Sequence, residues 1–272
     1  MAEKGTIEPL VSVAWLKEQL EQKRPELVVL DCSYDANKDV RKEYGAAHIP
    51  GAVFFNFKEC RDVTSPYPNM IPPPQVFAQY CGSIGLDNTM HVVLYDNNSR
   101  GLFSAPRAYW MFKAFGHDKN GFPTSSDIVQ RPTKIFHATM KKEYLKTYDD
   151  VVHVVNGGGV EAQLIDARPP VLFQGGHITK ARNIPYFSVL NDLPNATLKD
   201  EAALRQTFAA AGIDLDRPAI FNCSSGMSAC VLFFAASILG KKPPEITVYN
   251  GSWTEWEPRA KGHHGLVEYT TP

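Results

Sequence analysis

Long apolar runs are missing from this 272-residue chain, since no stretch approaches the roughly 20 residues that a membrane-spanning helix needs. A charge excess is missing too, because 28 basic and 29 acidic residues leave a formal net charge of -1 and no field to attract nucleic acid. The first nine residues carry acidic side chains and no apolar core, unlike a secretory signal or a mitochondrial presequence. We therefore expect a cytosolic protein without membrane or nucleic-acid partners, with the mitochondrion left open.

Cysteine is scarce and irregularly spaced. The chain has five, at Cys32, Cys60, Cys81, Cys223 and Cys230. No Cys-x-x-Cys pair occurs, which argues against a zinc site and against a thioredoxin-type redox motif. The odd number and irregular spacing fit reduced thiols in a reducing compartment. The sequence predicts neither a metal nor an organic cofactor.

The chain does contain an internal repeat, because the same order of predicted strands and helices occurs in both halves. Short apolar strands alternate with helical patterns, which predicts an α/β fold of parallel sheets covered by helices. The predicted strands are 27–31, 91–96, 163–166, 218–223 and 245–249, and the predicted helices are 12–22, 106–115, 140–148 and 229–239. In the first half no clear last strand is evident before Asn120 and Gly121.

The spacing of two marks supports a duplication. His48 lies 48 residues before Asp96, and His177 lies 46 residues before Cys223. Asp96 thus occupies the position in the first half that Cys223 occupies in the second, so only one copy carries a nucleophile. We predict an amino-terminal domain at residues 1–125, a linker rich in turn-forming residues at 126–138, and a catalytic domain at 139–272.

The segment that begins at Cys223 is the strongest candidate for chemistry. An apolar strand ends there, and a helix follows after a loop of small and polar residues, namely Ser224, Ser225, Gly226, Met227 and Ser228. Such a loop lies at the carboxyl end of a parallel strand, where α/β sheets bind ligands. Its N–H groups and the positive end of the helix stabilise an anion, which both a thiolate and a persulfide are.

The cysteines allow two other interpretations. A cysteine beside an apolar helix is usually a small core residue, and this is the expectation for Cys32, Cys60, Cys81 and Cys230. Cysteine phosphatases also place a nucleophile at such a loop, but they need an arginine six residues later to hold the phosphate. That position is Ala229, and the loop contains no lysine or arginine, so phosphoryl transfer is rejected.

Motifs along nearly the whole chain resemble the rhodanese superfamily, in particular its two-domain sulfurtransferases of the mercaptopyruvate and thiosulfate types. They include His48-Ile-Pro-Gly-Ala52, Thr64-Ser-Pro-Tyr67, Ser104-Ala-Pro-Arg107, Ile165-Asp-Ala-Arg168, Gly176-His-Ile178, the Cys223 loop and Tyr249-Asn-Gly-Ser-Trp253. The resemblance implies two tandem rhodanese-like domains around an interdomain cleft. It also implies sulfur transfer from a small donor, mercaptopyruvate or thiosulfate, through a Cys223 persulfide. The acceptor would be cyanide or a thiol, on a small molecule or a thioredoxin-like protein.

The loop sequence favours one donor. Thiosulfate enzymes carry Cys-Arg-Lys-Gly, whereas mercaptopyruvate enzymes carry Cys-Gly-Ser-Gly or Cys-Gly-Thr-Gly. The uncharged Cys223-Ser-Ser-Gly226 is similar to the second group, and the resemblance then gives Ser225 and Ser228 hydroxyls that can hydrogen-bond the reacting groups.

The chain also departs from the pattern. Of the two arginines that hold mercaptopyruvate, one aligns with Leu172 and the other falls in a segment missing here, while an assisting Asp and His align with Lys58 and Asn69. Lys58, Lys180 and Arg182 are candidate replacement cations, and Asn69 is a candidate substrate-binding residue. We expect weak or altered activity on mercaptopyruvate, and the competing hypothesis is a divergent sulfur-relay or redox-sensing protein.

Three more polar residues are expected to be structural. Arg168 should pair with a carboxylate, and His48 and His177 should hydrogen-bond the backbone.

Overall fold

The computed structural model describes residues 9–99, 101–118, 120–121, 131–159, 161–192 and 196–270. The helices are α1 Val13–Glu21, α2 Val40–Ala46, α3 Pro74–Ser83, α4 Ala105–Ala114, α5 Tyr148–Val155, α6 Pro170–Gln174, α7 Glu201–Ala210, α8 Ala229–Ile238 and α9 Ser252–Ala260, with 3-10 turns at Lys142–Tyr144 and Tyr186–Val189. The strands are β1 Leu27–Asp31, β2 Val53–Phe54, β3 His91–Tyr95, β4 Asn120–Gly121, β5 Leu145–Lys146, β6 Gln163–Asp166, β7 His177–Ile178, β8 Arg182–Asn183, β9 Ala219–Asn222, β10 Ile246–Tyr249 and β11 Val267–Glu268. Among the described residues, none of these helices is long and apolar enough to cross a membrane.

Two parallel sheets repeat one strand order. The first sheet runs β2-β1-β3-β4 and the second runs β5-β10-β9-β6-β8. Read from β8, the second sheet has the same order as the first, with β5 added at its edge. The predicted α/β class with parallel sheets is confirmed, and the shared order is what a duplication produces. A separate antiparallel ribbon pairs β7 with β11.

The segment 140–148 corrects one sequence prediction, because it is not a helix. It forms a 3-10 turn and then β5, and α5 begins only at Tyr148. A capping box explains the start: the Thr147 hydroxyl accepts the Asp150 N–H at 3.2 Å, and the Asp150 carboxylate accepts the Thr147 N–H at 2.8 Å. This pair satisfies two N–H groups that would otherwise lack partners and ends the extended segment at Thr147.

The expected lack of a last strand in the first domain is also wrong. Residues Asn120 and Gly121 themselves form β4, which pairs in parallel with Val92 and Val93 of β3. A two-residue strand is held by backbone pairing alone. It contains no run of apolar residues, so the sequence pattern does not predict it.

The core joins the two halves. Helices α4 and α8 are almost completely buried and belong to one cluster of buried apolar side chains drawn from both sheets. The rings of Tyr109 and Phe234 meet edge to face, with centroids 5.0 Å apart. Each helix follows the loop that leaves a central strand, so this packing sets the Cys223 loop against the first domain.

The predicted linker is partly visible. Residues 126–130 lie outside the described residues, and 131–138 run without regular structure along α3. The Lys134 N–H donates to the Gly82 carbonyl at 2.9 Å, and Phe136 packs edge-on against Phe77 with centroids 5.8 Å apart. The domain boundaries themselves stay a prediction.

Candidate active site

The Cys223 loop forms a small cradle around the sulfur. Cys223 follows the last residue of β9, and α8 begins at Ala229. The N–H of Gly226 donates to Cys223 Sγ at 3.1 Å. Gly226 has φ +81°, a conformation that favours glycine, and this conformation turns its N–H inward. Cys223 is 1% exposed, so its sulfur is held inside this cradle.

The start of α9 holds the outer side of the loop. The N–H of Trp253 donates to the Cys223 carbonyl at 2.9 Å. Thr254 donates twice to the Ser224 carbonyl, from N–H at 2.9 Å and from its hydroxyl at 2.7 Å. The Ser252 hydroxyl accepts the Cys223 N–H at 3.1 Å. These contacts satisfy N–H groups at the helix terminus and fix the carbonyls of the loop away from the sulfur.

The first domain supplies the facing wall. Asn69 Nδ2 donates to the Ser225 hydroxyl at 3.0 Å, which brings this predicted residue into the site. The Asn69 carbonyl accepts Nδ2 of Asn250 at 3.2 Å, and Asn250 Oδ1 accepts the N–H of Ile71 at 3.1 Å. The buried Asn250 amide therefore ties the segment 69–71 of the first domain to the second domain.

Arg107 belongs to the site but was not among the predicted site residues. Its Nη2 donates to the Asn69 carbonyl at 2.6 Å and to Asn250 Oδ1 at 2.8 Å, and its Nη1 donates to the Gly226 carbonyl at 3.2 Å. The signal in the sequence is an arginine inside a helix of otherwise apolar and small residues. A buried arginine needs several acceptors, and here they come from both domains.

Two loop residues, Met227 and Ser228, make no described contact with the sulfur. Met227 is buried in the core, and Ser228, half-buried, directly precedes α8. Ser224 is exposed and takes part through its carbonyl.

The remaining cysteines behave as core residues. All four are buried. Burial raises the pKa of Cys32 and Cys81 well above the usual range, and it raises the pKa of Cys230 to about 12 although the positive charge of Arg107 opposes the rise. Their thiols are therefore protonated near neutral pH, which is the behaviour expected of structural cysteines.

Lys180 and Arg182 do not reach the Cys223 loop. Lys180 Nζ donates to the Val155 carbonyl at 2.7 Å at the end of α5, and Arg182 donates to the carbonyl of Gly212. Both line a cavity with residues around Gln163, at the amino end of the sheet. Arg182 pairs with Ile165 in the parallel ladder, but its side chain turns to Gly212, so neither cation has a described hydrogen bond to the Cys223 loop.

Lys58 lies at the carboxyl end of the first sheet, shortly after β2. It is exposed and lines a cavity of about 180 Å³ together with Lys38 and Arg41. Its backbone N–H donates to the Asn56 side chain at 3.0 Å. Of the four predicted substrate-binding residues, Asn69 alone has a described hydrogen bond to the Cys223 loop.

The three residues expected to be structural have structural partners. Arg168 makes a buried ion pair with Asp166, with an N–O distance of 2.7 Å. His48 and His177 contact the carbonyls of Tyr44 and Phe173 through Nδ1, at 2.6 and 2.9 Å.

Asp96 fills the cradle of the first domain with its own carboxylate. Its Oδ2 accepts the N–H groups of Phe103, at 3.0 Å, of Ala105, at 2.7 Å, and of Ser104. These donors stand at the start of α4, as the Cys223 loop stands at the start of α8. Burial raises the pKa of Asp96, and the hydrogen bonds oppose the rise. Both domains thus direct backbone N–H groups at a residue that follows the central strand, to a carboxylate at Asp96 and to a sulfur at Cys223.

Comparison with known proteins agrees with this geometry. The model of the rhodanese-like domain matches residues 12–124 and 147–259. A thiosulfate sulfurtransferase of Gallus gallus is 38% identical, covering 95% of this chain and 96% of its own length. A 3-mercaptopyruvate sulfurtransferase of Rattus norvegicus is 36% identical, covering 98% of both chains. The structure of the 3-mercaptopyruvate sulfurtransferase SseA of Escherichia coli matches with a TM-score of 0.79 and 30% identity, covering 91% of this chain and 99% of SseA.

The chain belongs to the rhodanese family, as the matches of the family model to both halves show. Within that family it is a two-domain enzyme of the sulfurtransferase class.

Proposed function

We propose that this chain moves a sulfane sulfur from 3-mercaptopyruvate or thiosulfate to a thiol or cyanide through a persulfide on Cys223. The observation that carries the proposal is the Gly226 N–H aimed at Cys223 Sγ, at 3.1 Å, where a loop enters α8. An N–H donor and the positive end of a helix favour a negatively charged sulfur, and both the thiolate and the persulfide are negatively charged.

The reaction balances without an outside oxidant or reductant. In the first half, the Cys223 thiolate attacks the outer sulfur of the donor and an S–S bond forms. The C–S bond of mercaptopyruvate breaks, and the enolate of pyruvate leaves and takes up a proton; from thiosulfate, an S–S bond breaks and sulfite leaves. In the second half, the acceptor attacks the outer sulfur, and Cys223 leaves as a thiolate.

In this proposal Ser225 assists the exchange. Its oxygen already accepts from Asn69 Nδ2, so its own proton is directed elsewhere and can be donated to the donor or to the sulfur. Asn69 is uncharged at every pH, so it orients the hydroxyl but cannot take up the proton.

The donor carboxylate is expected to be held weakly. Leu172, on α6, is half exposed and follows β6, the strand beside β9, so it lies at the same sheet edge as Cys223. An arginine there can form two hydrogen bonds to a carboxylate, whereas a leucine can form none. We predict that Leu172→Arg lowers the KM for mercaptopyruvate about tenfold, by roughly 1.4 kcal/mol, with kcat little changed. An unchanged KM would mean that another group holds the carboxylate.

Steady-state assays test the proposal. Purified protein is incubated with each donor and with cyanide or a small thiol, while pyruvate, sulfite or thiocyanate is measured. We expect turnover with at least one donor and none in Cys223→Ser. Turnover retained in Cys223→Ser would contradict the assignment of the nucleophile.

A second candidate function is a sulfur relay or redox sensor. Cys223 is 1% exposed, so a donor must displace covering groups before it reaches the sulfur, which favours this candidate. A relay would accept sulfur from a protein persulfide but would not turn over with either small donor. We also propose that the acceptor is a small thiol or a thioredoxin-like protein. The proposed compartment is the cytosol or the mitochondrion.

A further inference from the structure

Arg107 carries a buried positive charge that no carboxylate of the described residues balances. Its residue is 2% exposed, and no aspartate or glutamate in the described part of the chain pairs with it. Three of its hydrogen bonds go to uncharged oxygens, on Asn69, Asn250 and Gly226, and a further one joins it to the Cys230 thiol. Its guanidinium also lies over the ring of Trp110, 4.6 Å from the centroid.

A buried cation in such surroundings favours a nearby anion. Hydrogen bonds from neutral oxygens replace only part of the hydration that the guanidinium loses on burial. Burial accordingly lowers the pKa of Arg107, and the sulfurs of Cys230, Cys223 and Cys60 oppose the decrease. These thiols are the nearby groups that can become negatively charged.

Cys230 also contacts Arg107, but its thiol donates to the Gly226 carbonyl at 3.2 Å and therefore acts as a protonated donor, which leaves Cys223 as the sulfur that can carry the charge. Burial raises the pKa of Cys230 to about 12 and raises that of Cys60 further, so both thiols keep their protons near neutral pH. Cys223 is the sulfur that also accepts the Gly226 N–H. The proposed reaction, on which this inference rests, makes the same sulfur an anion.

Arg107 also holds the cradle in shape. It binds the carbonyl of Gly226, the residue whose N–H faces the sulfur, and a Cβ at Gly226 would lie 3.2 Å from Arg107 Nη1. Rotation of Gly226 out of its conformation would therefore disturb both its bond to Arg107 and the N–H contact with Cys223.

We propose that Arg107 is a positioning residue for the reaction: from the first domain, it fixes the Gly226 N–H toward Cys223 Sγ and balances the negative charge on that sulfur. It supplies the cation that the loop from Ser224 to Ser228 lacks. The domain without a nucleophile thereby completes the cradle, and the cradle is complete only while the two domains are packed together.

The test compares Arg107→Met and Arg107→Lys with Arg168→Lys. Arg168 is as deeply buried but is balanced by Asp166, so it controls for the loss of a buried guanidinium. The first readout is the rate of Cys223 alkylation by iodoacetamide between pH 5 and pH 10, followed by mass spectrometry of the peptide, which requires no sulfur donor. The second readout is kcat and KM with the donor that supports turnover.

We expect Arg107→Met to move the alkylation curve to higher pH by about one unit and to lower kcat roughly 10²-fold, with KM changed much less. Arg107→Lys retains the charge but not the three-way contact, so the curve should move less while kcat falls about tenfold. Arg168→Lys should leave the curve in place.

Folded Arg107 variants with the alkylation curve and kcat of the natural protein would overturn the proposal. If Arg107→Met does not fold, Arg107→Lys decides, and a wild-type kcat in that variant would refute the role. A shifted alkylation curve in a protein that turns over neither donor would instead support Arg107 and reject the proposed donors.

Discussion

Replacement of Gly226 by alanine tests the cradle most sharply. An added Cβ would stand 2.7 Å from the Asn250 carbonyl oxygen and 3.1 Å from Asn250 Nδ2, both closer than ordinary contacts. The carbonyl belongs to the backbone, so the loop must move rather than a flexible side chain. That movement withdraws the Gly226 N–H from Cys223 Sγ, which it now approaches at 3.1 Å.

The magnitude has two parts. A left-handed backbone conformation costs an alanine about 1–2 kcal/mol, and Gly226 has φ +81°. Loss of one fixed N–H donor to a charged reacting atom lowers kcat by roughly 10²- to 10³-fold. We therefore expect Gly226→Ala to be at least about 2 kcal/mol less stable in urea unfolding, once the contact with Asn250 is added, and to lose most of its turnover.

Gly240→Ala is the matched control. Gly240 has φ +88°, follows the far end of α8, and has no atom within 4 Å of an added Cβ. It carries the same backbone penalty without the contact, so it should lose about 1–2 kcal/mol and keep its kcat. If the two variants have kcat values within threefold of each other, the Gly226 N–H does not stabilise the sulfur and the reasoning fails.

Two further predictions concern positions outside the cradle. Asp96→Ala leaves three buried N–H groups and the Ser104 hydroxyl without their acceptor, so it should lower the free energy of unfolding by about 3 kcal/mol or more. Asp96→Asn keeps an oxygen and should lower it less. Equal losses in the two variants would argue against this role for the carboxylate. Lys180→Met and Arg182→Met should keep KM and kcat within about twofold, because the two side chains bind the carbonyls of Val155 and Gly212 and not the Cys223 loop. A large rise in KM in either variant would show that the substituted residue does bind the donor.

Much of the fold was predictable because its signals are local. The strand at 27–31 and the helix that starts at Ala229 follow from apolar runs and their spacing, and the structure keeps both. The prediction of a helix at 140–148 was wrong because it rested on the spacing of apolar residues. A stronger local signal lies in the same segment. Thr147 and Asp150 already spell a capping box, which starts the helix at Tyr148.

The site was predictable only where it is contiguous. The loop after Cys223 carries its own signal, namely small residues between a strand and a helix. Arg107 and Gly226 are 119 residues apart, and their contact depends on how two domains pack, which no local pattern encodes. Lys180 precedes β8 and therefore lies toward the amino edge of the sheet, whereas ligands bind at the carboxyl edge.

The central claim, a persulfide on Cys223, is tested most directly by the mass of the intact protein after incubation with each donor. The account predicts a gain of about 32 Da, one sulfur atom, located at Cys223, removed by cyanide or a thiol, and absent in Cys223→Ser. No gain with either donor, or an equal gain in Cys223→Ser, would contradict it.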